Sequence, residues 1–127
     1  MNLNELAKEI HQNAVEHGWW DEPRSFGEII ALCHSELSEA LEEYRNGNPL
    51  IHEQGLPLLY YSDGKGYVAS EPTERCRKPE GIAIELADCI IRILDYCGKE
   101  GINIDEAIRI KHEFNKTRPF KHGGKVI

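Results

Sequence analysis

The sequence lacks any apolar run of the roughly 18 residues that a membrane-spanning helix requires. Its first residues, MNLNELAKEIHQN, also lack the basic-then-apolar order of a signal peptide. Positive charge is scarce, because 15 Lys and Arg stand against 22 Asp and Glu and leave a formal net charge of −7. An electrostatic nucleic-acid binder normally needs a basic surface. We therefore expect a cytoplasmic protein that binds neither a membrane nor a nucleic-acid polymer.

Closely paired cysteines are absent as well. Cys33, Cys76, Cys89 and Cys97 form no CxxC pair, the spacing that is typical of zinc and redox sites. Cys89 and Cys97 lie in one apolar stretch, where free thiols pack as small hydrophobic groups. No His follows a Glu by three residues, as the di-iron carboxylate bundles require. Reduced, buried thiols are therefore expected, and neither a zinc nor a di-iron site is.

Apolar residues at helical spacing, together with capping signals, predict an all-α protein of four helices. Ser25 with Glu28 has the S-x-x-E form of a capping box, and Asn103 with Glu106 repeats the pattern. Gly18 and Gly98 are expected to end helices. The predicted helices run from about Leu3 to His17, from Ser25 to Gly47, from Pro79 to Gly98 and from Asn103 to Lys116.

One segment breaks the helical periodicity, between Asn48 and Lys78. Within it, LLYYSDGKGYVA places two short β-prone runs around a turn that contains Gly, which predicts a small hairpin. A chain of 127 residues fits one domain, although its helices can need a partner subunit to cover their apolar faces. We expect a single domain of residues 1–127, a four-helix bundle with an insertion at 48–78 and a basic tail at 117–127.

The third predicted helix carries a polar stripe on an otherwise apolar surface. From Ile82 to Cys97 the residues that are not apolar are Glu85, Asp88, Arg92 and Asp95, which share one stripe about 80° wide. A helix that is apolar nearly all round is normally buried, so the stripe is expected to face an internal cleft. A network of ion pairs between Arg92 and the three acids is the alternative interpretation.

The second predicted helix carries Glu36, Glu39 and Glu43 along the flank of its apolar face. A solvated surface is the alternative interpretation, since charged residues are mostly exposed. If the two helices pack antiparallel, however, ExxE and ExxD bring four carboxylates into one small volume. An all-oxygen site of this kind favours Mg²⁺, with Mn²⁺ as a substitute. The expected core face of the helix consists of Ile29, Ile30, Cys33, Leu37, Ala40, Leu41 and Tyr44.

The C-terminal segment supplies cations that a phosphate ligand would need. Lys111 and Asn115 lie on the apolar face of the fourth predicted helix, so they are expected to point inward to the cleft. The segment KTRPFKHGGK then adds Arg118, Lys121 and Lys125. A triphosphate held on metal ions still needs such groups for its outer oxygens. The alternative is a solvated, mobile terminus.

Trp19 and Trp20 precede the second predicted helix. Their flat rings could bind a nucleobase by stacking. Paired Trp residues before a helix are also common as core or interface anchors. Both interpretations stay open at the level of sequence.

Three segments in order, SELSEALEEYRNG, KPEGIAIELADCIIRILDYCG and KHEFNKTRPFKHGGK, resemble the MazG-like nucleotide pyrophosphohydrolases of the all-α NTP pyrophosphatase superfamily. The likeness covers most of the chain from Trp19 onward, apart from the insertion. It implies magnesium-dependent hydrolysis of a nucleoside triphosphate to monophosphate and pyrophosphate, on a helical bundle completed by homo-oligomerisation. By residue, the family's metal-binding carboxylates are matched by Glu36, Glu39, Glu85 and Asp88, and its phosphate-binding positions by Lys111, Asn115 and Arg118.

These observations predict an enzyme of nucleotide-pool house-cleaning that acts on (deoxy)nucleoside triphosphates as a homodimer or homotetramer. The same four carboxylates are expected to be catalytic, with Lys121 and Lys125 helping to bind the departing pyrophosphate. Two alternatives remain. One is a non-enzymatic helical interaction module with structural ion-pair networks, and the other is a phosphohydrolase that removes one phosphate at a time.

Overall fold

The computed structural model describes residues 2–54, 56–57, 59–60, 67–68 and 78–119, and for residues 56–57, 59–60 and 67–68 it describes the backbone alone. Four helices dominate this part of the chain: α1 (Leu3–Glu16), α2 (Phe26–Arg45), α3 (Ile82–Glu100) and α4 (Ile104–Lys116). Four two-residue strands lie between α2 and α3. The prediction of an all-α protein is confirmed. Among the described helices, none combines the length and apolar character needed to cross a membrane.

Side-chain caps set the beginnings of three helices. At α1, α2 and α4 the capping side chain accepts a hydrogen bond from the backbone amide three residues later, which satisfies a free donor of the first turn. The capping residues are Asn2, Ser25 and Asn103. The predicted starts of α2 and α4 are therefore confirmed.

The predicted start of α3 is wrong by three residues. His52 and Glu80 exchange two backbone hydrogen bonds of 2.8 Å, which keep Glu80 out of the helix. Gly81 then adopts a φ of +121°, and a Cβ at this position would lie 2.2 Å from the carbonyl oxygen of Leu50. Only glycine tolerates this combination of a positive φ and a close backbone neighbour. The helix consequently begins at Ile82 and not at Pro79.

The predicted end of α3 is also wrong, because the helix continues through Gly98 to Glu100. A Cβ at Gly98 would lie 2.5 Å from the carbonyl oxygen of Ala7 on α1. Gly98 therefore permits close contact between two helices and does not end one. Gly101, with a φ of +67°, follows the last helical residue instead.

The described part of the insertion contains two short antiparallel pairs of strands. β1 (His52–Glu53) pairs with β2 (Leu56–Pro57), and β3 (Leu59–Tyr60) pairs with β4 (Tyr67–Val68). The second pair is the hairpin that LLYYSDGKGYVA predicts, and its turn lies outside the described residues. The first pair was not predicted.

The chain divides into two compact units. One contains the described parts of Met1–Glu22 and Leu94–Ile127, and the other contains Pro23–Ile93. Residues 82–93 of α3 belong to the second of these units and residues 94–100 to the first. The division does not test the prediction of a single domain, which stays a prediction.

The unit of the two chain ends is held by α1 and α4 together with the end of α3. Its buried centre is Ala7, Leu94 and Cys97, against which Leu3, Leu6, Ile10 and Ile104 pack. The carboxylate of Asp105 accepts hydrogen bonds of 3.1 Å from the backbone amides of Leu3 and Asn4. Asn4 in turn accepts from the amide of Ile104 at 2.9 Å. Each helix thus supplies a cap for the other.

The expected core face of α2 is partly wrong. Ile29, Cys33 and Ala40 are buried as predicted, but the fourth buried residue is Glu36. The remaining expected core residues are exposed in the single chain, namely Ile30, Leu37, Leu41 and Tyr44. The buried face is rotated toward Glu36 because this carboxylate has an ion-pair partner on α3.

The expectation that α3 is buried all round is likewise wrong for the single chain. Its buried residues are Cys89, Leu94, Asp95 and Cys97, while Leu86, Ile90, Ile91 and Ile93 are exposed. Uncovered apolar side chains therefore occur on both α2 and α3.

Candidate functional site

Three of the four carboxylates predicted to bind metal lie together. Glu36, Glu39 and Glu85 each offer a carboxylate oxygen within 4.8 Å of the others. Glu36 and Glu39 are one turn apart on α2, and Glu85 is in the first turn of α3. The position of Glu85 depends on where α3 begins, which Gly81 and the backbone pair of His52 with Glu80 determine.

Glu36 is the most buried member of this group, with 6% of its surface exposed. It accepts a hydrogen bond of 2.8 Å from Nε of Arg92. Arg92 belongs to the predicted polar stripe of α3, and here it pairs with an acid of α2. The sequence pattern suggests ion pairs of Arg92 with the acids of its own helix. The pair with Glu36 was not foreseen.

The carboxylates of the cluster are close enough to change one another's pKa. Burial raises the pKa of Glu85 to about 8, and the neighbouring Glu39 and Glu36 add to the effect. Burial also acts to raise the pKa of Glu36, but hydrogen bonds with Arg92, Glu39 and Glu85 outweigh it and the net pKa is lowered. At neutral pH, Glu85 therefore carries a proton while Glu36 is ionised.

Asp88, the fourth predicted carboxylate, lies outside the closest group, but the charge of Glu36 affects its pKa. Burial and the negative charge of Glu36 raise its pKa, and the positive charges of Arg92 and Lys78 oppose this. Lys78 is exposed and was not among the predicted site residues. A basic residue just before the helix that carries ExxD was the available signal.

Glu43, the third acid of the predicted stripe on α2, has a different partner. It accepts hydrogen bonds from Asn48 at 2.9 Å and from Nε2 of the buried His52 at 2.8 Å. These hydrogen bonds lower its pKa. A carboxylate oxygen of Glu80 lies within 4.8 Å of this pair. Glu43 thus holds the first strand of the insertion against the end of α2.

The predicted phosphate-binding residues within the described part of the chain are Lys111, Asn115 and Arg118, and all three are exposed. Lys111 and Arg118 approach the ring of Phe114, with Nζ at 5.0 Å and Cζ at 5.8 Å from its centroid. The expectation that Lys111 and Asn115 point inward is wrong for the single chain, because α4 is exposed from Glu106 onward. Lys121 and Lys125 lie outside the described residues.

Trp20 is held by its edge. Its Nε1 donates to both carboxylate oxygens of Asp95, at 3.0 and 3.1 Å, and His11 bonds the same carboxylate at 2.8 Å. The His11 ring meets the Trp20 ring edge-on, and Nζ of Lys99 lies 5.2 Å from the centroid of the Trp20 ring. This arrangement favours the anchor interpretation of Trp20. Trp19 is half-buried.

Sequence reasoning missed His11 as the partner of Asp95. His11 lies at helical spacing between Ala7 and Ala14, on the inner face of α1. A polar residue on that face was the signal that a buried acid on another helix would need it.

The described thiols are free. Cys33, Cys89 and Cys97 are buried and form no disulfide, as expected, and Cys76 lies outside the described residues. Burial raises the pKa of Cys33 and of Cys97, which disfavours the reactive thiolate.

Comparison with protein-family models, with curated proteins and with solved structures gave no match for this chain.

Proposed function

We propose that this protein is a magnesium-dependent nucleoside triphosphate pyrophosphohydrolase of the MazG-like type, acting on deoxynucleoside triphosphates in nucleotide-pool house-cleaning. The observation that carries the proposal is the convergence of Glu36, Glu39 and Glu85 from two helices. The resemblance of the three sequence segments supports it, since these residues match the metal-binding positions of that family.

The donor set fits a hard divalent cation. All the donors are carboxylate oxygens, the ligands that Mg²⁺ and Mn²⁺ prefer. Burial and the neighbouring carboxylates raise the pKa of Glu85, so added positive charge nearby would favour its ionised form. Glu36, Glu39, Glu85 and Asp88 would hold the metal, which when bound supplies positive charge to the triphosphate and acidity to the attacking water.

The chain's own residues have three tasks in this reaction. The carboxylates orient the water toward the α-phosphorus and accept the proton that it loses. The bond from the α-phosphorus to the bridging oxygen breaks, so that monophosphate and pyrophosphate leave. Lys111, Asn115 and Arg118 bind phosphate oxygens and stabilise the charge of the departing pyrophosphate, with Lys121 and Lys125 as further cations.

A homo-oligomer is part of the proposal. Exposed apolar residues on α2 and α3 form a surface that another copy of the chain would cover in the homodimer or homotetramer that the resemblance implies.

Product analysis tests the function. The protein is incubated with a panel of deoxy- and ribonucleoside triphosphates, with and without Mg²⁺, beside Glu39→Gln and Asp88→Asn. We expect monophosphate and pyrophosphate from the wild type with Mg²⁺, and a loss of at least about 100-fold in both variants. Turnover that survives in both variants, or that needs no metal, would contradict the proposed site. Orthophosphate as the product would indicate removal of one phosphate at a time.

The ion pair of Arg92 with Glu36 favours the second candidate function, a helical interaction module in which these charges are structural. The two functions differ in their response to Mg²⁺. A metal site gains stability from the ion, by about 2.7 kcal/mol at a concentration 100 times its Kd. An interaction module keeps its melting temperature unchanged, and it hydrolyses no nucleotide.

A further inference from the structure

Arg92 and the candidate metal site share one carboxylate. Nε of Arg92 donates to Oε1 of Glu36 at 2.8 Å, and Glu36 also supplies an oxygen to the cluster with Glu39 and Glu85. Arg92 lies one turn beyond Asp88 on α3, and its positive charge acts to lower the pKa of that carboxylate. The guanidinium therefore interacts with two of the four acids that the proposed function assigns to the metal.

A guanidinium and a divalent cation compete for such a carboxylate. Glu36 is buried, and an ionised buried carboxylate needs a positive partner. Two positive partners on the same carboxylate repel each other strongly at a site with little water. Glu36 can consequently keep only one of them at full strength.

The side chains of Glu36 and Arg92 differ in their exposure to solvent. The side chain of Glu36 is 9% exposed, whereas that of Arg92 is 28% exposed. Arg92 is therefore the more solvent-accessible member of the pair. A guanidinium fork matches phosphate oxygens in two-point hydrogen bonds.

We infer that Arg92 is an internal counter-ion of Glu36 that a divalent cation displaces, and that the displaced guanidinium then binds the triphosphate. The inference rests on the proposed function, and it adds a positioning and substrate-binding role for a residue outside the ExxE and ExxD motifs. It also means that metal and triphosphate bind cooperatively, because the first frees a ligand for the second.

Calorimetric titration tests the competition. Arg92→Gln is titrated with Mn²⁺ alone, beside the wild type, and we expect binding about tenfold tighter in the variant. With metal present, the variant should bind an α,β-methylene deoxynucleoside triphosphate about tenfold more weakly. Arg109→Gln is the matched control, since Arg109 also donates from Nε to a Glu and loses the same charge. It should behave as the wild type.

A second measurement follows Arg92 in the wild-type protein itself. The ¹⁵Nε–H signal of Arg92 in wild-type protein is identified by its absence from the spectrum of Arg92→Lys. Adding Mg²⁺ should shift this signal, and adding the methylene analogue should shift it again. A signal that does not move with Mg²⁺ while the metal binds would overturn the inference.

The two possible failures are distinguishable. If wild-type protein binds no divalent cation, both the proposed function and this inference fall. If the wild type binds Mn²⁺ and hydrolyses triphosphates while Arg92→Gln binds the metal no tighter, the inference alone is overturned.

Discussion

The protonation of Glu85 depends on the residues that surround it in the acidic cluster. Its carboxyl is partly buried at the start of α3 beside Glu36 and Glu39, and its pKa is raised to about 8. The pKa of Glu36 is lowered instead, because Arg92 donates a hydrogen bond to it. The two acids therefore differ in protonation at neutral pH, and among the described residues it is Glu36 that has a basic partner.

This difference predicts a pH dependence of stability. The folded protein holds the proton of Glu85 up to a pKa of about 8, against an ordinary value of 4.5. The stabilisation is therefore complete below pH 4.5 and is lost as the pH rises through 8. Glu85→Gln keeps the neutral form at every pH, so in EDTA it should raise the free energy of unfolding at pH 8 by about 1–3 kcal/mol.

Urea unfolding at pH 5, 6.5 and 8 measures the effect. The difference between Glu85→Gln and the wild type should shrink toward pH 5. Glu42→Gln, an exposed acid on α2, is the control and should change stability by less than about 0.5 kcal/mol at all three values. Equal slopes with pH for wild type and Glu85→Gln would show that Glu85 titrates normally.

At the scale of the element, two glycines of α3 and its start are required by close contacts with residues that are distant in the sequence. Gly81 precedes the helix because the carbonyl of Leu50 leaves no room for a Cβ, and Gly98 lies inside it because α1 comes close. The capped starts of α2 and α4, by contrast, need only residues three positions apart. Helix boundaries set by capping were predicted correctly, and those set by tertiary contacts were not.

Gly98 gives a test of the contact between α1 and α3. An added Cβ would lie 2.5 Å from the carbonyl oxygen of Ala7 and 2.8 Å from Cβ of His11. In an unconstrained helix, Gly→Ala stabilises by up to about 1 kcal/mol. Here the clash should outweigh that gain, so Gly98→Ala should lower the free energy of unfolding by about 2 kcal/mol or more.

The matched control for this experiment is Gly27→Ala. Gly27 is also helical, and among the described atoms a Cβ there would meet Oγ of Ser25 alone, at 3.9 Å. It should be neutral or slightly stabilising in the same denaturant titration. Two variants of equal stability would show that α1 and α3 are not in close contact at Gly98.

At the scale of the whole molecule, the apolar residues that one chain leaves exposed are the main feature. Leu41 is 51% exposed and Tyr44 is 71% exposed on α2, while Ile90 on α3 is 54% exposed. Scattered exposed apolar residues are ordinary, but these recur along two helices. We expect a second copy of the chain to cover them.

Leu41→Glu tests this expectation. A charge at a buried interface costs several kcal/mol, so we expect the variant to be monomeric and the wild type to form the proposed homodimer or homotetramer. Light scattering after size-exclusion chromatography gives the mass. Ser38→Glu adds the same charge at another exposed position of α2 and should keep the wild-type mass. A wild type that is already monomeric at micromolar concentration would contradict the oligomer.

Much of the candidate site could be predicted from the sequence. ExxE and ExxD encode their own helical spacing, so the pairing of Glu36 with Glu39 follows from local geometry. That Glu85 joins them required only that the two helices meet. The partner of Arg92 could not be predicted, because Glu36 is 56 residues away along the chain. The exposure of Lys111 and Asn115 in the single chain was missed for a related reason, since a helical pattern shows which residues share a face and not what covers it.

The sequence by itself determined the all-α class, the capped starts of α2 and α4, the helical spacing of the acids and the hairpin in the insertion. Each depends on interactions within a few residues of one another. Tertiary structure alone decided that Glu36 belongs to the buried face of α2, that Gly98 lies within α3 and that Asp95 meets His11, 84 residues away. These outcomes depend on which surfaces come together, and the free energy of that packing is a property of the folded chain and not of any short segment.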